Sequence, residues 1–369
     1  MWWLILPVII YSAGLLVLHL ILIRRRNPSD YPVAGLPKVS VIVAAKDEEQ
    51  NLPALLESLA RQDYPSYLLE VIIVNDNSTD RTPVLVSEFI AGLNETESPR
   101  MRLIYNPFSG KKSAVRYGIE KSSGEVITTT DADCRVGIAW VRTHATWYAA
   151  EGPDMVLAPV VQKPRGGFWP QFGAYEFAAL QAVTEAAAEA GCPVMCNAAN
   201  MSFRREVYLR HAGELREDLP SGDDMFLLEA VMRGGGAARH DGRSAAAVET
   251  AGAVTAAALL RQRARWASKA THLRSPQTLT LAAATAACNA AVTAAAVASC
   301  FSTAYLPLVA AMYGIKAIPD YLLISGEMRK RGNRMRVIQF IVSELLYPFY
   351  FMVVWVMSMF PSSRRFAGK

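Results

Sequence analysis

The sequence predicts an α/β protein with a largely parallel sheet, joined at both ends to membrane-spanning helices. Two patterns indicate this fold class. In the middle of the chain, short β-branched runs alternate with helix-length segments, as in sheets that helices cover on both faces. At both ends the sequence stays apolar over lengths that can cross a bilayer.

Composition supports a soluble domain with membrane segments. A chain of 369 residues is long enough for one large domain and a further region. Its hydrophobic fraction of 52% and mean hydropathy of +0.16 reach or exceed the soluble range, and the excess lies at the two ends. The net charge of +5 comes with basic residues clustered beside the apolar segments, which favours an anionic membrane face over nucleic acid. Five cysteines form neither a disulfide ladder nor a zinc pattern, so we expect reduced thiols.

The first segment predicts an N-terminal transmembrane anchor over residues 1–26. Residues 2–23 are almost uninterrupted apolar sequence, and Arg24, Arg25 and Arg26 follow at once. No cationic region precedes the run and no small-residue cleavage site follows it, which favours an anchor over a signal peptide. The positive-inside bias places the middle of the chain in the cytoplasm, so a multi-pass protein of the inner (plasma) membrane is expected. Residues 27–37, rich in proline, are predicted to be a linker.

The middle of the chain predicts successive strand and helix pairs. The predicted strands begin at Val39, Glu70, Met101 and Val126, and another covers residues 154–161. A long helix is predicted for residues 168–190, with core packing favoured over a position at the membrane interface. In parallel sheets, ligands bind beyond the carboxyl ends of the strands, where the polar turns of this sequence lie.

The strand that begins at Val126 ends on two carboxylates, Asp131 and Asp133. Ending an apolar strand on paired charges is costly unless a cation neutralises them. Alternate residues of an extended turn can present both carboxylates to one hard cation, Mg²⁺ or Mn²⁺, that also keeps water and phosphate oxygens. The two residues are therefore the predicted metal ligands, and Asp131 also faces the nucleotide. A lone pair at this spacing is common by chance, but one that follows other nucleotide-type turns is not.

Two further turns could bind a nucleotide. Ala44 and Ala45 leave room for a flat base, and Asp76 could accept from a base N–H or a ribose hydroxyl. Lys111 and Lys112 follow a glycine and open a helix, so either could meet a phosphate. The alternatives are turn and helix-cap residues for Asp76 and Asp80, and a solvated pair for the lysines.

Two later segments could bind the acceptor or act as a base. Asn200 and the small residues around it could hydrogen-bond sugar hydroxyls, or form an ordinary turn. Asp223 and Asp224 open an apolar helix. Helix capping could account for one of these carboxylates, but it accounts less well for both. A carboxylate that stays ionised near cations and N–H donors can serve as a general base.

Residues 260–267 combine arginines, a glutamine and a tryptophan in about two helical turns. Gln262, Arg263, Arg265 and Trp266 are candidate functional residues of this stretch. The alternative is a basic stripe ahead of a membrane segment.

Residues 277–369 are predicted to form a C-terminal membrane region of two or three spans. The apolar runs cover residues 279–301, 303–324 and 337–360. Lys316, Pro319 and Asp320 weaken the second run. Pro348 interrupts the third, so a crossing and a re-entrant or interfacial hairpin both remain open.

Taken together, these motifs resemble those of the membrane-bound family 2 glycosyltransferases, which are related to the cellulose, chitin and hyaluronan synthases. The resemblance covers about residues 38–272 and rests on six motifs in family order: Asp47-Glu48, Asn75-Asp76 with Asp80, Gly110-Lys111-Lys112, Asp131-x-Asp133, Gly222-Asp223-Asp224 and Gln262-Arg263-x-Arg265-Trp266. It implies a cytoplasmic GT-A domain, which is a Rossmann-like nucleotide-sugar-binding fold. The usual acidic pair is Glu-Asp, and here it is Asp223-Asp224.

The resemblance also implies roles for individual residues. Asp224 would be the catalytic base, with Asp223 beside it, and Gln262, Arg265 and Trp266 would shape the diphosphate and acceptor site. The residues expected to bind the nucleotide sugar, of UDP or GDP type, are Ala44, Ala45, Glu48, Asp76, Lys111, Lys112 and Asp131.

The predicted function is inverting transfer of a sugar, of hexose type, from a nucleoside diphosphate to a lipid-linked or membrane-proximal glycan acceptor. A processive polysaccharide synthase is the first alternative, although three or four spans are few for a channel. A sugar nucleotidyltransferase is the second, and it would have no evident use for the tryptophan and arginine motif. Membrane lipid is the expected surroundings, and nucleic acid is not an expected partner.

Overall fold

The computed structural model describes residues 2–24, 35–94, 99–164, 166–216, 219, 222–270 and 272–360. The chain forms two compact units. The sheet unit comprises residues 26–161, 195–251 and 367–369, and the helix unit comprises residues 1–25, 162–194 and 252–366. This division groups residues 162–194 and 252–272 with the apolar helices, whereas the sequence predicted one continuous domain over 38–272. Arg25 and Arg26, used in the topology prediction, lie outside the described residues.

Strands and helices alternate through the first part of the chain, as predicted. The strands are β1 (Val39–Ala45), β2 (Leu69–Asn75), β3 (Arg100–Tyr105), β4 (Val126–Thr129), β5 (Arg135–Val136), β6 (Met155–Leu157), β7 (Val160–Lys163), β8 (Met201–Arg204), β9 (Ala238–His240) and β10 (Val248–Ala251). The α-helices are α1 (Ile5–Arg24), α2 (Leu52–Ala60), α3 (Thr82–Ala91), α4 (Lys111–Glu120), α5 (Trp140–Ala150), α6 (Phe168–Glu189), α7 (Arg205–His211), α8 (Asp223–Arg233), α9 (Ala256–Ala270), α10 (Pro276–Ser299), α11 (Leu306–Lys330) and α12 (Val337–Ser358).

The sheet unit is built on a mixed seven-stranded sheet of order β3-β2-β1-β4-β8-β6-β9. Strands β1 to β4 are parallel, as their alternation with helices predicted. Strand β8 runs antiparallel to β4 and β6, whereas the sequence analysis did not predict a strand in this segment. The strand predicted over 154–161 is divided at Pro159 into β6 and β7, because proline lacks the N–H that a continuous ladder needs. A second sheet has the order β5-β10-β7.

The central strands form the core because their residues are β-branched and buried on both faces. Every residue of β2 is buried, and in β1 only Ala44 is partly exposed. This burial fixes the direction and register of the strands, and so their carboxyl ends meet at one edge of the sheet. The turns that follow β1, β2 and β4 therefore become neighbours.

Among the residues that the structure describes, four helices are long and apolar enough to cross a membrane, and all belong to the helix unit: α1, α10, α11 with the turn before it, and α12. Helix α12 is continuous through Pro348, so the hairpin reversal considered for this run is absent from the described part of it. Helix α6 buries Phe172 against Leu259 and Tyr350 within the same unit, which confirms its predicted role in core packing.

Candidate active site

The turns after β1 and β2 interlock through side-chain to backbone hydrogen bonds. Asp47 Oδ1 accepts from the backbone N–H of Thr79 at 2.7 Å, and the N–H of Glu49 donates to Asp80 Oδ2 at 3.1 Å. Asp80 Oδ1 also accepts from the N–H of Thr82 at the start of α3, at 2.9 Å. Asp47 and Asp80 thus hold the two turns together, which agrees with the turn and cap interpretation of Asp80.

Asp76 anchors the glycine that precedes α4. Its side chain is buried, and Oδ1 accepts from Asn106 Nδ2 at 2.8 Å. Both carboxylate oxygens accept from the N–H of Gly110, at 2.9 and 3.0 Å. Gly110 has φ = +107°, a conformation that favours glycine. Asp76 therefore sets the start of the helix that carries Lys111, and its contact with a nucleoside stays a prediction.

Lys111 lies among the acidic residues of the site. Its Nζ is 2.7 Å from Asp131 Oδ1, in a pair whose side chains are 55% and 32% exposed. Asp133 and Asp224 also act on this ammonium group electrostatically. Partial desolvation, and then the like charge of Asp131, raise the pKa of Asp133. Three predicted acidic residues are thereby brought around one cationic group.

The chemistry of this acidic turn fits a divalent cation. Across the residues that the structure describes, no group of three or more His, Cys, Asp or Glu side chains is placed to hold a metal. Asp131 and Asp133 offer two hard carboxylate ligands, which leaves positions for water and phosphate oxygens. Burial raises the pKa of the nearby Glu48, and the negative charges of Asp133 and Asp131 also raise it. Glu48 Oε2 accepts from Asn51 Nδ2 at 2.7 Å.

Asp223 and Asp224 occupy the first turn of α8, after Gly222 in the left-handed region with φ = +113°. Asp224 Oδ2 accepts from the backbone N–H of Ala198 at 3.2 Å. Its Oδ1 accepts from the N–H of Met225 at 2.9 Å. Asp223 pairs with Lys112 at 3.1 Å, and burial raises the pKa of Asp223. The two N–H donors hold the Asp224 carboxylate in a defined position at the start of α8.

Lys112 connects α4 to the loop that leads to the acidic pair. Its Nζ donates to the carbonyl oxygens of Leu215 and Arg216, the second at 2.8 Å. Together with the pair with Asp223, these two carbonyl contacts use the N–H donors of the Lys112 ammonium group. Its side chain is 15% exposed. The predicted phosphate contact therefore fits Lys111 better than Lys112.

Asn200 belongs to a buried polar network. Its Nδ2 donates to the carbonyl oxygens of Pro159 at 2.6 Å and Ala246 at 2.8 Å. Its Oδ1 accepts from Trp140 Nε1 at 2.8 Å and lies 3.0 Å from His144 Nε2. Burial lowers the pKa of His144 to about 4, so its ring is neutral near pH 7. Because Asn200 is fully buried and its carboxamide is bonded internally, we leave it out of the proposed acceptor site.

The turn that precedes Asn200 makes backbone contacts that the sequence analysis did not predict. Thr129 Oγ1, at the end of β4, donates to the carbonyl oxygen of Ala198 at 2.6 Å. The N–H of the same Ala198 reaches Asp224. This turn thus connects the strand of the acidic turn with the candidate base. A backbone N–H has no residue-type signal, so the sequence offered no means to find it.

In the helix unit, α9 carries the glutamine, arginine and tryptophan motif. Arg263 Nε is 2.8 Å from Glu176 Oε2, and Arg263 Nη1 donates to Gln262 Oε1 at 2.7 Å. The guanidinium carbon lies 4.2 Å from the centre of the Trp266 ring. Arg263 is buried, whereas Gln262, Arg265 and Trp266 are partly exposed. The predicted diphosphate contact therefore fits Arg265 better than Arg263.

Comparison with solved structures shows first which fold this chain has. A mannosyltransferase from Pyrobaculum calidifontis, solved with GDP-Man and Mn²⁺, matches with a TM-score of 0.62 and 19% identity, over 97% of this chain and 99% of that one. The fold is that of the GT-A glycosyltransferases. Residues 40–209 match the model of glycosyl transferase family 2. The family match thus lies within the α/β part of the chain, which is similar there to the glycosyl transferase family 2 proteins.

Curated relatives match over parts of their length. A beta-monoglucosyldiacylglycerol synthase from a Nostoc species is 32% identical over 123 residues, which are 33% of this chain and 26% of that protein. An undecaprenyl-phosphate 4-deoxy-4-formamido-L-arabinose transferase from Pectobacterium carotovorum is 31% identical over 125 residues, 34% of this chain and 37% of that protein. The chain thus spans about a quarter to two fifths of the length of these relatives.

Proposed function

We propose that this protein is an inverting glycosyltransferase that transfers a sugar from a nucleoside-diphosphate sugar to a lipid-linked or membrane-proximal acceptor. The observation that carries the proposal is the pairing of Asp131 with the Lys111 ammonium group, on which the charges of Asp133 and Asp224 also act. Donor-binding carboxylates and a candidate base are thereby present in one unit. The names of two relatives specify diacylglycerol and undecaprenyl phosphate, which supports a lipid acceptor.

In the proposed mechanism, the donor and acceptor groups have separate roles. Asp224 takes the proton of an acceptor hydroxyl as that oxygen attacks the anomeric carbon, and the bond to the nucleoside diphosphate breaks. This single displacement inverts the anomeric configuration. The N–H of Ala198 holds the Asp224 carboxylate in place. Catalysis on this scheme is mainly positional and electrostatic.

The negative charge that develops on the leaving diphosphate has to be stabilised by positive charge. Asp131 and Asp133 would hold a divalent cation, which supplies charge stabilisation to the leaving diphosphate when it is bound. Lys111 provides a further cation next to Asp131. Gln262, Arg265 and Trp266 are proposed, by family resemblance, to contact the diphosphate and the acceptor.

The test is a panel of nucleotide sugars offered to membranes that contain the protein, with a lipid extract as acceptor and with or without Mn²⁺ or Mg²⁺. We expect release of the nucleoside diphosphate and a lipid-soluble glycoside from one donor, and loss of both when the metal is chelated. A nucleotide-sugar product made from a sugar phosphate and a nucleoside triphosphate would instead identify a nucleotidyltransferase. A long polymer would support the processive alternative.

The stereochemistry is tested separately with the donor that the panel identifies. Nuclear magnetic resonance of the product should show an anomeric configuration opposite to that of the donor. Retention of configuration would exclude a single displacement by Asp224.

A further inference from the structure

We infer that Glu176 and Tyr350 are positioning residues for the motif helix α9, and that they act through Arg263. The inference rests on the proposed function, because it assigns Gln262 and Trp266 to the diphosphate and acceptor site. It adds two residues, from α6 and from the apolar helix α12, that none of the sequence motifs includes.

The first step is the position of Arg263 between the two motif side chains. Its Nη1 donates to Gln262 Oε1 at 2.7 Å, and its guanidinium lies over the ring of Trp266 at 4.2 Å. It also lies 5.8 Å from the centre of the Phe177 ring. A planar guanidinium can make these contacts together, since it donates in its plane and stacks through its faces. The orientation of Arg263 therefore sets that of Gln262 and Trp266.

The second step is what orients Arg263. Its Nε pairs with Glu176 Oε2 at 2.8 Å, and the two side chains are 4% and 10% exposed. Tyr350 lies 3.3 Å from the same carboxylate oxygen and donates its hydroxyl to it. Buried pairs of this kind hold a defined geometry because either charge left alone is strongly penalised. The bonds thus run from Tyr350 to Glu176, to Arg263, and then to the motif.

Tyr350 is held by its own packing. Its ring lies 4.9 Å from that of Phe172 at 75°, in an edge-to-face contact. Phe172 and Leu259 share a core with it. Helix α12 is one of the four helices suited to crossing a membrane. The positions of Gln262 and Trp266, which are assigned to the diphosphate and the acceptor, consequently depend on the position of the apolar helix α12.

The test compares Glu176→Gln with Glu185→Gln, a matched change on the same helix. Glu185 is also buried and paired, with Lys330 at 2.5 Å and Arg331 at 3.5 Å, but these partners lie at the last residue of α11 and just after it. We expect Glu176→Gln to lower kcat about 100-fold, the loss expected when a reacting geometry is misplaced, with donor KM little changed. Glu185→Gln should lower thermal stability and leave kcat near the wild-type value. Equal losses of kcat in the two variants would overturn the inference.

A second pair keeps the test valid if a charge change prevents folding. Tyr350→Phe and Tyr313→Phe each remove one hydroxyl that bonds across helices, since Tyr313 donates to the carbonyl oxygen of Leu345 at 3.0 Å. Tyr350→Phe should lower kcat about three- to tenfold, in keeping with one hydrogen bond, and Tyr313→Phe should not. Unchanged kcat in Tyr350→Phe would remove Tyr350 from the positioning chain.

A readout without activity separates this inference from the proposed function. The protein contains seven tryptophans, so fluorine-labelled tryptophan gives few resonances, and Trp266→Phe identifies the one from position 266. That resonance should shift or broaden in Glu176→Gln and stay in place in Glu185→Gln. A signal at the wild-type position in Glu176→Gln would contradict the positioning role. If no nucleotide sugar is turned over, the proposed function fails while this comparison still decides the placement of Trp266.

Discussion

The acidic residues of the sheet unit differ from those of the helix unit in how their oxygens are used. In the sheet unit, Asp131 and Asp133 are partly solvated, and Asp224 is held by backbone N–H groups. Asp133 is exposed, and one oxygen of Asp131 contacts Lys111. The carboxylates of Asp131, Asp133 and Asp224 therefore keep oxygens with which to bind a ligand or take a proton, unlike the internally bonded Asp76 of the same unit.

The helix unit instead neutralises its acids internally. Lys316 Nζ lies 2.7 Å from Asp320 Oδ2 and 2.6 Å from Glu344 Oε1, in a cluster less than 10% exposed. Tyr11 donates to Asp320 Oδ1 at 2.9 Å, and Tyr347 places its ring 5.1 Å from the ammonium group. These contacts join α1, α11 and α12. Burial with complete pairing is typical of structural charges, and partial exposure with unused oxygens is typical of a binding site.

The largest expected effect is the loss of transfer in Asp224→Asn. The amide is close in size but cannot accept the acceptor proton, and we expect kcat to fall about 10²- to 10⁴-fold, the usual contribution of a general base. Nucleotide binding, measured by calorimetry, should be nearly unchanged because Asp224 is not assigned to the donor. Retained turnover would remove Asp224 from the role. An equal loss per folded molecule in Asp320→Asn would remove the contrast between the two clusters.

Lys316→Met should have the next largest effect, on stability. It leaves two carboxylates buried without their cation, and breaking buried pairs of this kind costs about 3–5 kcal/mol. Thermal unfolding in detergent should show the loss. The triple variant Lys316→Met, Asp320→Asn, Glu344→Gln removes all three charges and should recover most of it. A triple variant no more stable than Lys316→Met would show that the cluster does more than compensate its own charges.

The sequence and the structure agree where local pattern decides the outcome. The runs that begin at Val39 and Val126 predict buried parallel strands because their β-branched residues need cover on both faces. Lys316 and Asp320 were taken to weaken a membrane segment, yet α11 is continuous through them. Their partner Glu344 is 28 residues away from Lys316, and no periodicity shows such a pairing.

In the predicted site, too, the sequence does not reveal contacts between residues that are distant along the chain. The acidic turn at Asp131 and the acidic pair at Asp224 could be predicted as candidate site residues because residue type and position along the chain carry the signal, and their roles stay predictions. The contacts of Lys112 and Asn200 could not be predicted, because Leu215, Ala246 and Pro159 offer them backbone carbonyl groups, which every residue type has. Side-chain chemistry is therefore predictable here, whereas its backbone partners require the fold.

Asp133→Asn should weaken metal binding in the sheet unit. Loss of even an outer partner of a metal ligand costs about 10- to 100-fold in affinity, and we expect at least that loss of Mn²⁺ affinity, measured by calorimetry. Since the pKa of Asp133 is raised, the wild-type affinity should also begin to fall at a higher pH than for an ordinary aspartate, as protons compete with the metal. The same affinity in variant and wild type would place the cation elsewhere.

The smallest expected effect is that of Tyr11→Phe, which tests whether the Lys316 cluster contributes to stability alone. The change removes the hydroxyl bonded to Asp320 and keeps the ring, whose centre lies 5.8 Å from Lys316 Nζ. One hydrogen bond to a charged group contributes about 1.5–3 kcal/mol, but Lys316 still pairs with Asp320, so we expect a loss near the lower end in thermal unfolding. Turnover per folded molecule should not change. A loss of turnover without a loss of stability would mean that α1 acts on the reaction through this cluster, and the contrast between a binding site and a structural charge cluster would then fail at Asp320.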